Sequence, residues 1–211
     1  MPIGEDMSSY SEGQSHQLMD SVEAAGWSSA HVTKAGQSRP LLVGFRGVLD
    51  GTHEIRPIEH IIDLGGAARL PFDSAVLESH RGSGIVRVEL REDGVYLGGR
   101  RLGGLFRAKA QKKSTILGHD LRKECDKRSD MLPAVVLDFM VEHPELYPDE
   151  WKADAEGNTI YVFFMDDIFR YPADDSLCVR CGYWGGGRVR TRCLWLGRKF
   201  YRHYPVASFA S

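Results

Sequence analysis

The sequence predicts an α+β fold, and three stretches carry that expectation. Residues 84–99, GIVRVELREDGVYLGG, alternate Ile85, Arg87, Glu89 and Arg91 with Val86, Val88 and Leu90 before a Glu-Asp-Gly turn, as a β-hairpin does. Residues 117–151 carry apolar side chains at helical spacing. Residues 159–211 are rich in β-branched and aromatic residues cut by turn residues, which predicts a three- to four-stranded antiparallel meander packed on those helices.

Composition sets the frame for these elements. The chain has 211 residues, 42% hydrophobic and 27% charged, close to the average of folded globular proteins and long enough to bury a core. No run approaches the ~18 apolar residues of a membrane-spanning helix. The N-terminus, MPIGEDMSSYSEGQSHQ, lacks the basic start and apolar centre of a signal peptide, so a cytoplasmic location and no membrane partner are the expectation. Four cysteines, three of them within 178–193, suit reduced thiols better than a disulfide scaffold.

Taken in order, residues 1–13 read as a disordered tail, 14–80 as a helical and strand region, and 81–211 as an α+β core ending in the meander. Leu18, Met19, Val22 and Ala25 lie at helical spacing and Gly26 stops that helix; a second runs from an N-cap at Ser28 or Ser29 to Gly36. The pair makes a helical hairpin. Gly26 and Val32 have the spacing of a helix-turn-helix, but Lys34 is the only base nearby, where a DNA reader offers several. Leu41–Phe45 and Ile58–Leu64 each suit a short strand, with a helix then a strand the favoured reading. His60 and Asp63 point to opposite faces of such a strand and make a poor catalytic pair.

After the 84–99 hairpin, residues 100–113 hold six basic groups and no acid. Glycines 98, 99, 103 and 104 keep that stretch permissive, and Arg100, Arg101, Lys112 and Lys113 make it a candidate polyanion-contacting loop, although no P-loop or dinucleotide spacing is present. Leu117, Leu121 and Glu124 then mark a helix. A longer one follows from Pro133 to Glu142 with Leu132, Val135, Val136, Phe139 and Met140 on one face, and a short one opens at Pro148 with Trp151 as an anchor. His119, Asp120 and Glu124 are the densest acid and base group, the candidates if the protein is an enzyme. On one helix, groups so spaced ordinarily support the helix instead.

Charge is segregated. The net balance is −6 over residues 1–80, +7 over 81–128, −10 over 129–175 and +7 over 176–211, where no acidic residue occurs. Either the blocks neutralise one another in the fold or a basic block offers an anion-binding surface.

The last block contains CVRCGYWGGGRVRTRCLW, residues 178–195. A three-residue loop, Gly185–Gly187, pairs Trp184 with Arg188, Arg180 with Arg192 and Val179 with Cys193, which keeps one face apolar. The other face then gathers Arg180, Arg188, Arg190 and Arg192 beside Trp184, with Tyr201 and Tyr204 nearby. Like charges so placed repel unless an anion lies across them. Cys178, Cys181, Cys193 and His203 have intervening spacings of 2, 11 and 9 and suggest a zinc site, but Cys178 and Cys181 point to opposite faces of a straight strand, so zinc requires that strand to break.

The order LRKE, VLDF, HPELYPDEWK and an aromatic, arginine-rich end resembles a family of small bacterial proteins of no established activity. The resemblance assigns no functional residue, and other residues commonly stand at its three cysteine positions. The expected function is therefore binding, of a polyanion or nucleic acid through the arginine and aromatic face. The alternative is a structural or protein-interaction subunit, including a homo-oligomer, that uses the C-terminal aromatic strands as its interface.

Overall fold

Local capping chemistry fixes the first helices. In the computed structural model, which describes residues 11–54 and 59–210, the Ser11 hydroxyl accepts from the Gln14 amide at 3.2 Å and the Gln14 side chain accepts from the Ser11 amide at 2.9 Å. Helix α1 therefore starts at Glu12 and runs Glu12–Ala24, with Gly26 at φ 78° just beyond its end. Residues 11–13, placed in the expected tail 1–13, belong to this cap and helix instead; residues 1–10 lie outside the described ones. Ser28 and His31 repeat the reciprocal cap for α2, Ser29–Gly36. Ser38 caps α3, Arg39–Leu49, with Pro40 in its first turn, so the favoured helical reading holds there.

The chain divides into two units, 1–58 and 59–211. In the first, Trp27 packs on Phe45 at 6.3 Å, α1 buries none of its residues, and α3 leaves Leu41, Leu42, Val43 and Leu49 exposed. The division falls well before residue 80. Ile58 lies outside the described residues, and the strand expected to begin there is β1, His60–Asp63; with β2, Val76–His80, it belongs to the sheet of the second unit.

The second unit is built on that sheet. The predicted hairpin is β3, Ile85–Arg91, and β4, Gly94–Leu97. Gly98 and Gly99, at φ 57° and 78°, form a two-residue turn into a further strand, β5, Arg100–Phe106. The stretch expected to be a loop is thus a strand followed by a short helix α4, Lys109–Lys113; its glycines serve a turn and a close strand contact. Strand β6, Thr115–Leu117, helix α5, Gly118–Cys125, and helix α6, Ala134–Glu142, come next, then 3-10 turns at Pro144–Leu146 and Asp149–Trp151.

Six strands finish the chain: β7, Val162–Phe163; β8, Asp167–Tyr171; β9, Ser176–Gly185; β10, Arg188–Trp195; β11, Lys199–Tyr201; and β12, Val206–Phe209. β8, β9 and β10 form the expected antiparallel meander. It is one part of a ten-stranded mixed sheet ordered β1-β3-β4-β5-β12-β7-β9-β8-β2, with β10 paired to the other edge of β9. β12 lies between antiparallel β5 and parallel β7, which joins the two halves; β6 and β11 make a separate two-stranded sheet.

Alternation along these strands sorts the core into two layers. Val162, Phe164, Phe169 and Cys178 pack with α6 residues Val136, Leu137 and Met140 and with Trp151, whereas Phe163, Met165, Ile168 and Val179 pack with Leu121, Cys125 and Phe200. A strand buried on both faces reads as a continuous apolar run, which is why IYVFFM looks as it does. Pro133 offers no capping side chain to α6, and the buried Asp167 carboxylate of β8 accepts from the Ala134 amide and pairs with His80 of β2. Arg81 pairs with Asp166 beside it. Among the described residues no helix is long and apolar enough to cross a membrane.

Candidate functional site

The β9–β10 turn sets which side chains share a face. Gly186 and Gly187 lie at φ 64° and 74°, the two positive values that a two-residue hairpin turn requires, and they pair Gly185 with Arg188. The expected three-residue loop is off by one position, which changes every cross-strand pair. Arg180 lies opposite Cys193 and Arg192 opposite Cys181. One face therefore carries Cys178, Arg180, Gly182, Trp184, Val189, Cys193 and Trp195; Val179, Cys181, Tyr183, Arg188, Arg190 and Arg192 lie on the other. The four arginines do not share a face.

Arg180 points inward to α6. Its Nη2 donates to Asp138 Oδ1 at 2.6 Å, and its Nη1 donates to Asp138 Oδ2 at 3.0 Å and to the Arg69 carbonyl at 2.8 Å. The Arg69 amide also donates to Asp138 Oδ2, at 2.7 Å. The side chains of Arg180 and Asp138 are 5% and 12% exposed. An apolar-face criterion cannot anticipate this, because a buried ion pair sits within the apolar face. The acid across Arg180 is internal.

Trp184 follows Arg180 to the inner face, where it stacks on Tyr147 at 5.9 Å and 24°, with the Lys152 ammonium 4.6 Å from its ring. Nor do Arg100 and Arg101 join the hairpin arginines. Arg100 lies 3.7 Å over the Phe209 ring, and Arg101 donates to Glu150 at 2.6 Å and to the Asp93 carbonyl at 2.9 Å. Lys113 borders a separate shallow pocket with Ala108, Ile116 and Glu124.

Arg188, Arg190 and Arg192 are exposed and have no carboxylate partner among the described residues. The Arg192 guanidinium is 5.2 Å from the Tyr183 ring, and Arg190 Nε donates to the Gly185 carbonyl at 3.1 Å. From Tyr183 a row of rings continues: Tyr161 at 4.9 Å, then Tyr204 at 5.7 Å, then His203 at 4.3 Å, which lies parallel to Tyr201 at 5.8 Å and 12°. Tyr201, a candidate from the sequence, is thus joined to the hairpin through rings.

His203 also lines a cleft of about 790 Å³ together with the basic residues Arg107, Lys112 and Arg202 and the acidic residues Glu150, Asp154 and Glu156. Arg107 Nε donates to the Arg202 carbonyl at 2.8 Å. Burial, and next the charge of Arg202, lower the pKa of the Arg107 guanidinium, with Asp154 opposing. Asp154 is engaged by the amides of Glu156 and Asn158, and neither guanidinium has an ion pair among the described residues. Sequence reasoning missed Arg107 and Arg202; their signal was a base within each of two segments that only the fold brings together.

The zinc candidates do not converge. Cys178 and Cys193 share the inner face, Cys181 is buried on the other, and His203 lines the cleft. A hydrogen bond with the Cys178 thiol, aided by the Arg180 charge and opposed by burial, lowers Cys193 to about 7, while Cys178 is raised. Burial raises Cys125 and Cys181 to about 12. His119, Asp120 and Glu124 are exposed on α5; Asp120 pairs with Lys123 at 3.0 Å and Glu124 with Lys127 at 2.6 Å, the spacing that supports a helix. A different cluster, His60, His143 and Glu145, comes together and was not foreseen.

No protein-family profile, curated protein or solved structure matches the chain.

Proposed function

We propose that the protein binds a polyanion, with single-stranded nucleic acid as the preferred class, along a strip from Arg188, Arg190, Arg192 and Tyr183 through Tyr161, Tyr204, His203 and Tyr201 to Arg107, Arg202 and Lys112. One observation carries the reading: three exposed arginines without carboxylate partners among the described residues share a face with Tyr183, where a row of aromatic rings begins. Arginines suit phosphates, and rings suit bases at about 1–3 kcal/mol per stacked base.

The test is fluorescence anisotropy of a labelled single-stranded oligonucleotide against salt. The expected result is binding at about 50 mM salt that weakens with a slope near 0.7 per phosphate contact, and a slope flatter by about 1.4 in Arg190→Glu/Arg192→Glu. Tyr183→Ala should weaken binding by about 1–3 kcal/mol if bases stack there. No binding at low salt, or equal binding by the arginine variant, overturns the reading.

A second reading, subunit association through the C-terminal strands, is favoured by the edge position of β10, whose only partner among the described strands is β9. Its measurement is molar mass by light scattering across concentration, where a constant monomer mass rejects it.

A further inference from the structure

We propose that His60, His143 and Glu145 bind a divalent first-row transition ion, with zinc as the reference ion, at a site independent of the polyanion strip. His60 opens β1, on the same side of that strand as buried Ile62. His143 closes α6, and Pro144 begins the 3-10 turn that returns Glu145 beside it. The two imidazole rings meet at 4.3 Å, and each contacts the Phe139 ring, at 5.5 and 4.5 Å. His143 Nδ1 is 3.5 Å from Glu145 Oε1, and one donor atom from each of the three residues lies within 4.8 Å of the others.

Those distances are close to what an ion needs. Metal–ligand lengths of ~2.0–2.1 Å at tetrahedral angles put neighbouring donor atoms ~3.3–3.5 Å apart. The His143–Glu145 separation already meets that, and rotation of the exposed Glu145 and half-buried His60 side chains covers the remainder. Two imidazoles and a carboxylate are the donor set that zinc and its neighbours take, with a fourth position left for water.

The surroundings leave these three groups available. Adjacent Glu142 is paired with Arg69 and adjacent Glu59 with Arg87 at 3.3 Å, whereas Glu145 has no lysine or arginine partner among the described residues. Neither imidazole has a hydrogen bond to a described residue. Two histidines in contact with each other and with the Phe139 ring, beside a carboxylate whose one ion-pair partner among the described residues is His143 itself, form a ligand set with a partly apolar wall.

The experiment is isothermal titration of chelator-treated full-length protein with Zn²⁺, repeated with Co²⁺ to read the ligand field by visible absorption. Expected are one high-affinity equivalent and a Co²⁺ spectrum without thiolate charge transfer. His60→Ala, His143→Ala and Glu145→Gln should each weaken Zn²⁺ by at least the ~10–100-fold that loss of an outer-shell partner costs, with metal-free melting and circular dichroism retained. A Cys178→Ser/Cys193→Ser variant should bind as the parent does. The proposal is overturned by no binding up to millimolar Zn²⁺, by equal binding in the two histidine variants, or by binding that disappears in the serine variant. Should an alanine variant fail to fold, His143→Gln and the Co²⁺ spectrum of the parent decide the matter.

Discussion

Arg180→Met leaves the Asp138 carboxylate buried with one partner. The substitution deletes the two hydrogen bonds to Asp138, at 2.6 and 3.0 Å, and the one to the Arg69 carbonyl at 2.8 Å; only the Arg69 amide, at 2.7 Å, stays on the carboxylate. At 5% and 12% side-chain exposure, water does not readily replace the guanidinium. Orphaning a buried charge costs about 3–5 kcal/mol. With a urea m-value of about 2 kcal/mol/M, the unfolding midpoint should fall by about 1.5–2.5 M, read by tryptophan fluorescence. Arg180→Met/Asp138→Leu removes both charges and leaves only the part-buried amide and carbonyl of Arg69 to find other partners. That double variant should return to within ~1–2 kcal/mol of the parent. Arg190→Met, on the open face, should change stability by less than ~0.5 kcal/mol. A loss below ~1 kcal/mol for Arg180→Met, or a double variant as unstable as the single, refutes an internal counter-ion role for Asp138.

Three other predictions concern a buried tyrosine and the thiols. The Tyr147 hydroxyl is buried without a hydrogen-bond partner among the described residues, and burial raises its pKa, so Tyr147→Phe should stabilise by about 1 kcal/mol in the same urea assay; a loss of stability would reveal a partner for that hydroxyl. Among the thiols, Cys193, lowered to about 7, should be alkylated first in the native protein, with a rate that rises through that pH, as peptide mass spectrometry would show. Cys125 and Cys181, raised from 9.0 to about 12, should stay unmodified until unfolding. Their folded forms keep protons that unfolded thiols release, so this part of the stability is full below pH 9 and is lost as pH rises toward 12, by up to about 1.4 kcal/mol per pH unit for each thiol. A flat alkaline stability profile contradicts that linkage.

Most individual elements were legible because their signals are local. The cap at Ser28, the glycine after α1, the Glu-Asp-Gly turn signal between β3 and β4 and the apolar face of α6 each depend on residues a few positions apart, whereas the Ser11 cap was missed because a polar, Ser- and Gly-rich stretch also reads as a tail. Segment 100–113 was misread because glycines that permit a loop also permit a two-residue turn and a strand, and the partner that makes it a strand, β12, lies about a hundred residues on. The hairpin register was misread because its deciding partner, Asp138, lies outside the hairpin.

Sequence by itself determined the class α+β, the N-terminal helices, the terminal meander and the segregation of charge into blocks. It did not determine which charges cancel. The fold consumes Arg180 on Asp138 and Arg101 on Glu150, and leaves Arg188, Arg190 and Arg192 without carboxylate partners among the described residues. Only the tertiary structure brought His60 to His143 and Glu145, or Arg107 to Arg202 and His203. The physical reason is range. Helix caps, turns and periodicity act over one or two turns of chain, whereas a counter-ion or a ligand set is chosen by which strands and helices pack together.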